Sequence, residues 1–212
     1  EYFSSLPEGF APAEELRAAL TADVQKVQFV GVAGTAGKTA AAGLLAAILR
    51  EAAFHTGFYR AGCEPLSARI AIGGVSVDPV LLCQAAEALS AAKPLPREAA
   101  ELAAAARCFG AAGCKLAVVE LPDAGLASAL PQMPVCAVTA IGPDGVSRSV
   151  ERLAALAAGV MRKDAVCVTA PEQPKAVLSE LVVAAAKAEC ELVVPDAEDI
   201  TFLEAEKFTS KV

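Results

Sequence analysis

The residues Gly31-Val-Ala-Gly34-Thr35-Ala36-Gly37-Lys38-Thr39 carry the densest chemistry in this chain. An apolar run, Val27 to Ala33, precedes the glycines, and an Ala- and Leu-rich run, Thr39 to Arg50, follows them. Strand, glycine-rich turn and helix in that order are what a phosphate-binding loop requires. Gly34 and Gly37 let backbone N–H groups turn toward an anion, and the helix N-terminus adds the positive end of its dipole. Lys38 can reach the β/γ-phosphates of a nucleotide, and the Thr39 hydroxyl can ligate Mg²⁺. The strict GxxxxGK[ST] pattern wants glycine at position 32, where this chain has Val32; the spacing here is GxxGTxGKT. A glycine-rich turn without a ligand is the plainer alternative. A dinucleotide-binding GxGxxG fits less well, because the spacing differs and the second strand ends at Arg60 rather than at an acidic residue.

Acidic partners for such a loop are few. Glu120 ends the apolar run from Lys115. That places it at the carboxyl edge where ligands bind in open α/β sheets, as a Mg²⁺ ligand or as a solvated strand-end carboxylate. Asp123 and Asp144 lie in Pro-Asp-Ala-Gly and Pro-Asp-Gly segments, which turn chemistry alone explains. Arg60 is either a phosphate contact or a surface strand end. His55, the single histidine, reads as a surface or capping residue.

The elements that must position these groups alternate along the chain. Strands are expected at Val27–Ala33, His55–Arg60, Lys115–Glu120, Val135–Ile141, Ala165–Ala170 and Glu191–Pro195. Helices are expected at Pro12–Leu20, Thr39–Arg50, Asp78–Ala92, Pro96–Ala112, Ser149–Met161 and Pro174–Cys190. Asp78 would cap its helix, with Pro79 at the first helical position. Ala68–Val77 reads as a small hairpin turning at Gly73-Gly74. Apolar strands alternating with helices predict an α/β fold: a mostly parallel sheet with helices on both faces. No Gly/Ser-rich linker interrupts the 212 residues, so one domain is expected, with residues 1–26 as an N-terminal helical segment and 27–212 as the core.

Composition removes several function classes. Hydrophobic residues make up 55 % of the chain, much of it alanine, which excludes whole-chain disorder. The formal net charge of −7 argues against a nucleic-acid partner. The longest uncharged stretch, Ala124 to Pro143, holds three prolines and does not read as a membrane span. No basic region precedes an apolar core at the N-terminus, so no signal peptide is expected, and the absent initiator Met suggests a processed or trimmed chain. Seven scattered cysteines without a CxxC pair fit a reducing cytoplasm better than a disulfide framework or structural zinc.

The loop and its surroundings resemble the ATP-binding central domain of the Mur ligase family, and more closely folylpolyglutamate synthase and dihydrofolate synthase. Val32 to Lys38 parallels VAGTNGKG, and Leu45 to Tyr59 is similar to LAxILxxAGYxTGLY. Arg69 to Gly74 parallels RIRINGE, and Thr139 to Asp144 resembles TNIGLDH. Ser5-Leu6-Pro7, Leu116–Glu120 and Val168–Pro174 (beside VVTAPQ) extend the likeness along nearly the whole chain. The resemblance implies a P-loop NTPase-like domain using ATP and Mg²⁺. In that reading Lys38 is catalytic, holding and polarising the γ-phosphate. Gly34, Thr35, Ala36, Gly37, Lys38 and Thr39 form the nucleotide cradle, and Thr39 and Glu120 hold Mg²⁺. The implied reaction phosphorylates a folate carboxylate, and the amine of glutamate then attacks the acyl phosphate.

The chain departs from the family at named places. The loop asparagine is Ala36, and the SPH loop becomes Ala61-Gly62-Cys63. The second-metal histidine falls at Gly145, and the carbamylated lysine falls at Ala157. The family's EVGLGGRxDATN is reduced to Glu120-Leu-Pro-Asp-Ala-Gly-Leu. The family's C-terminal domain, which closes over ATP, is not among these residues; the chain reads either as a fragment of a longer protein or as a reduced one, with a missing C-terminal domain or a protein partner as the expected complement. Three readings stay open here. One is an active ligase with its lysine and histidine replaced by other groups. Another is a nucleotide-binding relative that does not ligate. The third is an unrelated P-loop kinase or NTPase. That third reading predicts a strand-end Walker-B aspartate, and Glu120 stands there instead, while Gly145 and Ala157 favour weak or absent ligation.

Overall fold

A computed structural model describes residues 2–9, 11–143 and 149–196. Asp144 and Gly145 lie outside the described residues. Among the described residues eight strands form a mixed sheet: β1 Gln28–Ala33, β2 Thr56–Tyr59, β3 Ile70–Ile72, β4 Val75–Ser76, β5 Leu116–Glu120, β6 Gln132–Val138, β7 Val166–Thr169 and β8 Glu191–Val193. Their order is β4-β3-β2-β5-β1-β6-β7-β8. The six strands from β2 to β8 in that order run parallel, and β3 and β4 form the antiparallel hairpin at one edge. The helices are α1 Ala13–Ala18, α2 Lys38–Glu51, α3 Leu66–Arg69, α4 Pro79–Ser90, α5 Arg97–Ala111, α6 Val150–Ala157 and α7 Lys175–Ala188.

Alternation along the central strands splits the apolar side chains between two cores. Val30, Val32 and Val118 face α2 and pack with Ala42, Leu45 and Leu49. Phe29, Ala117, Val119, Cys136 and Cys167 belong to the larger core with α5, α6 and α7. Helices therefore cover both faces, as the alternating pattern predicts. Helix α5 is buried over most of its circumference, from Ala99 to Phe109. Its run of alanines explains this, because small side chains let one helix approach a sheet and a neighbouring helix together. Asp78 caps α4 by accepting from Val80 N–H at 2.8 Å, with Pro79 at the first helical position.

Most strand ends shift by a residue or two, and the largest shift is in β6. The strand expected at Val135–Ile141 begins at Gln132 and ends at Val138. Pro134 sits inside it without an N–H to donate, and the β1 register slips there, from Gln28↔Gln132 to Val30↔Val135. The helix expected at Ser149–Met161 is α6 followed by a 3-10 turn, Ala158–Val160. The 3-10 helix Ala124–Ala129 has no counterpart in the sequence pattern. Among the described residues no helix is long and apolar enough to cross a membrane. All seven cysteines are free, five of them buried.

Candidate nucleotide site

The glycine-rich loop lies at the carboxyl end of β1, between β5 and β6. Chain connections leave β1 toward β2 on one side and return through β5 to β6 on the other, which creates the crevice where ligands sit in open sheets. Gly37 takes a left-handed conformation, φ +81°, directly before α2. The first intrahelical bond runs from Ala41 N–H to Gly37 C=O at 2.9 Å. The N–H groups of Lys38, Thr39 and Ala40 therefore precede the helix ladder and remain for an anion. Lys38 Nζ donates to Gly34 C=O at 2.9 Å, which keeps the ammonium folded over the loop. Thr39 Oγ1 donates to Glu120 Oε2 at 2.9 Å, across 81 residues of sequence.

Thr35 and Ala36 turn the other way. Both N–H groups donate to Ala140 C=O, at 3.2 and 3.1 Å. The Thr35 hydroxyl also donates to Ala140 C=O and accepts from Gly142 N–H at 2.8 Å. The loop is thus tied to the segment after β6. Gly34, at φ +136°, presses against that segment: an added Cβ would collide with Thr139 Oγ1 and sit 3.1 Å from the Thr139 backbone N and O. Gly34→Ala is expected to lower unfolding free energy by about 2 kcal/mol or more, read by chemical denaturation.

A cavity of about 350 Å³ opens beside the loop. Gly34, Thr35 and Lys38 line one wall, and Glu98, Asp123 and Ala157 line another. Asp123 Oδ1 accepts from Gly125 N–H at 2.9 Å, the turn chemistry its sequence context predicts. Partial burial raises the Glu98 carboxyl pKa, and Asp123, Glu101 and Glu8 raise it further. Arg60 is paired with Glu64 at 2.7 Å. His55 is exposed, its Nε2 3.1 Å from Ala112 C=O. Cys63 lines a second cavity of about 380 Å³, which shares Glu98 and Pro122 with the first.

That second cavity rests on a network that pattern reading misses. Glu101 projects from α5 and is 5 % exposed, while Arg69 is the last residue of α3 and is 1 % exposed. Arg69 Nη2 lies 2.7 Å from Glu101 Oε1, and Arg97 Nε donates to the same oxygen at 3.1 Å. Arg69 Nε donates to Glu64 C=O at 2.8 Å, and its guanidinium lies 5.9 Å from the Tyr59 ring centroid. Burial, then the Glu101 charge, pushes the Tyr59 hydroxyl pKa well above its ordinary value. The available sequence signal was a charged residue at position 101, inside an alanine run that otherwise reads as core.

No protein-family model matches the chain, and no curated protein sequence does. Solved structures do match in three dimensions. One is Escherichia coli FolC in complex with DHPP and ADP: 21 % identity, TM-score 0.77, covering 90 % of this chain and 49 % of that one. Another is Mycobacterium tuberculosis folylpolyglutamate synthase complexed with ADP: 21 % identity, TM-score 0.74, covering 85 % and 45 %. A third is folylpolyglutamate synthase from Thermotoga maritima: 16 % identity, TM-score 0.79, covering 91 % and 48 %. The chain spans about half the length of these proteins. At these identities the likeness establishes the fold: the chain is built as the corresponding half of folylpolyglutamate synthases is built.

Proposed function

We propose that residues 1–212 form one ATP-binding domain of the folylpolyglutamate-synthase type, working in a reducing cytoplasm. The observation that carries this reading is the Thr39–Glu120 pair at 2.9 Å, beside a lysine-tipped glycine loop at a helix N-terminus. Glu120 is 5 % exposed and has no ion pair among the described residues. A buried carboxylate beside a hydroxyl is a pair of hard oxygen donors, which suits Mg²⁺. Mg²⁺ would neutralise phosphate charge when bound.

The chain's own residues do the rest. The N–H groups of Lys38, Thr39 and Ala40 face the anion, and Gly34, Thr35, Ala36 and Gly37 shape the loop around it. Lys38 swings from Gly34 C=O to the terminal phosphate as a mobile point charge. The reaction that the family resemblance implies joins glutamate to a folate carboxylate through an acyl phosphate. Residue 157, where the resemblance implies a carbamylated lysine, is an alanine lining the cavity and carries no group to hold a second cation. Binding of ATP is therefore the retained property, and ligation is expected to be weak or absent.

Two measurements test this. Glu120→Gln is expected to weaken Mg-ATP binding about tenfold to a hundredfold while leaving metal-free ATP unaffected. An equal effect with and without Mg²⁺ would remove Glu120 from the metal site. ADP release that depends on both folate and glutamate, at an ordinary ligase rate, would overturn the expectation of weak ligation.

A further inference from the structure

The phosphate loop has one layer of support that no motif reveals. The segment 139–142 lies against the loop, and Gln173 grips the far side of it. Gln173 Nε2 donates to Thr139 C=O at 2.9 Å and to Thr169 Oγ1 at 3.0 Å. Its Oε1 accepts from Ile141 N–H at 3.1 Å. Both amide hydrogens and the carbonyl are thus used at once. Thr169 is buried, and its hydroxyl donates to Val138 C=O at 3.2 Å.

On its near side the same segment holds the loop. Thr139 N–H and Oγ1 both donate to Ala33 C=O, at 2.9 and 3.1 Å. Ala140 C=O accepts from Thr35 and Ala36, and Gly142 N–H donates to Thr35 Oγ1. The segment's backbone groups therefore point to opposite sides: Thr139 C=O and Ile141 N–H reach Gln173, while Thr139 N–H, Ala140 C=O and Gly142 N–H reach β1 and the loop.

We propose that Gln173 is a positioning residue of the nucleotide site, setting the phosphate loop through the Thr139–Gly142 segment. This rests on the reading of the loop as a nucleotide site. Gln173 reaches the loop only through that segment, so its effect is indirect. A binding constellation must be held to about 0.5 Å by supporting residues whose own bonds are satisfied. Removing the Gln173 amide strands Thr139 C=O and Ile141 N–H together and frees the segment to shift. Thr35 and Ala36 move with it, and so do the N–H groups that follow them at the start of α2.

Gln173→Met keeps the length and volume of the side chain but removes its bonds. Gln173→Glu retains an acceptor for Ile141 N–H and loses both donors; it serves if the Met variant does not fold. Two readouts are needed. Amide hydrogen exchange, measured without nucleotide, is expected to accelerate at least tenfold at Thr35, Ala36 and Gly142, with Val30 and Val118 in the central strands unchanged. Mg-ADP titration is expected to show about tenfold weaker binding. Uniform acceleration across the sheet would make Gln173 an ordinary stability residue and overturn the proposal. Unchanged exchange with unchanged Mg-ADP affinity would also overturn it. Loop-specific acceleration in a protein whose unaltered form binds no Mg-ADP would leave the mechanical link standing and sink the nucleotide reading instead.

Discussion

Lys38→Ala is expected to weaken Mg-ATP binding by about a hundredfold, the scale of losing charge-assisted hydrogen bonds to a phosphate. Charge around the loop explains the size. The cavity lining carries one cation, Lys38, and two carboxylates, Glu98 and Asp123. The protein as a whole carries a formal charge of −7. No general positive field compensates for a lost ammonium, so the full local effect appears in the affinity. Lys38→Arg would restore the charge and not the geometry: a planar fork suits a bidentate anion poorly where a compact ammonium tips a tight loop. Calorimetric titration reads the difference. An alanine variant binding as tightly as the unaltered protein would show that the lysine does not touch the ligand.

The largest stability effect belongs to Glu101. Glu101→Ala is expected to cost about 3–5 kcal/mol, measured by urea or thermal unfolding. The ion pair itself is a weak source of stability, since desolvating both charges offsets most of their attraction. Its removal is another matter. Arg69, 1 % exposed, would keep a buried guanidinium with no carboxylate opposite, beside the Tyr59 ring. Arg97 is 34 % exposed and would turn to solvent at little cost. The double variant Glu101→Leu with Arg69→Met removes both buried charges and is expected to recover most of the loss. A cost below about 1 kcal/mol for Glu101→Ala would mean that water reaches Arg69 as the α5 end relaxes.

The sequence carries the glycine-rich loop openly because its constraints are local. Gly37 has to be left-handed before α2, and Lys38 and Thr39 have to be adjacent to share one helix end. Those demands leave a mark within nine residues. The mostly parallel sheet was legible too, through the alternation of short apolar runs with alanine-rich helices; the strand order, which places β5 between β1 and β2, was not. Pro134 misled the boundary of β6, because a proline reads as an end and here sits in a register slip. The Arg69–Glu101 pair and the Gln173 grip left no periodic signal. Their partners lie 32 residues apart for Arg69 and Glu101 and 34 apart for Gln173 and Thr139. Only the folded sheet brings them together. A polar residue at such a position looks like a surface residue until the packing around it is known.

The most direct test of a Mg-ATP site is calorimetric titration of ATP into the unaltered protein, once with Mg²⁺ and once with a chelator. Four negative charges on ATP meet a loop whose lining sums to −1 from Lys38, Glu98 and Asp123. Binding is therefore expected to need the cation: one site per chain with Mg²⁺, and at least tenfold weaker binding without it. Absence of binding at millimolar Mg-ATP, or equal binding in the presence of chelator, would contradict the account.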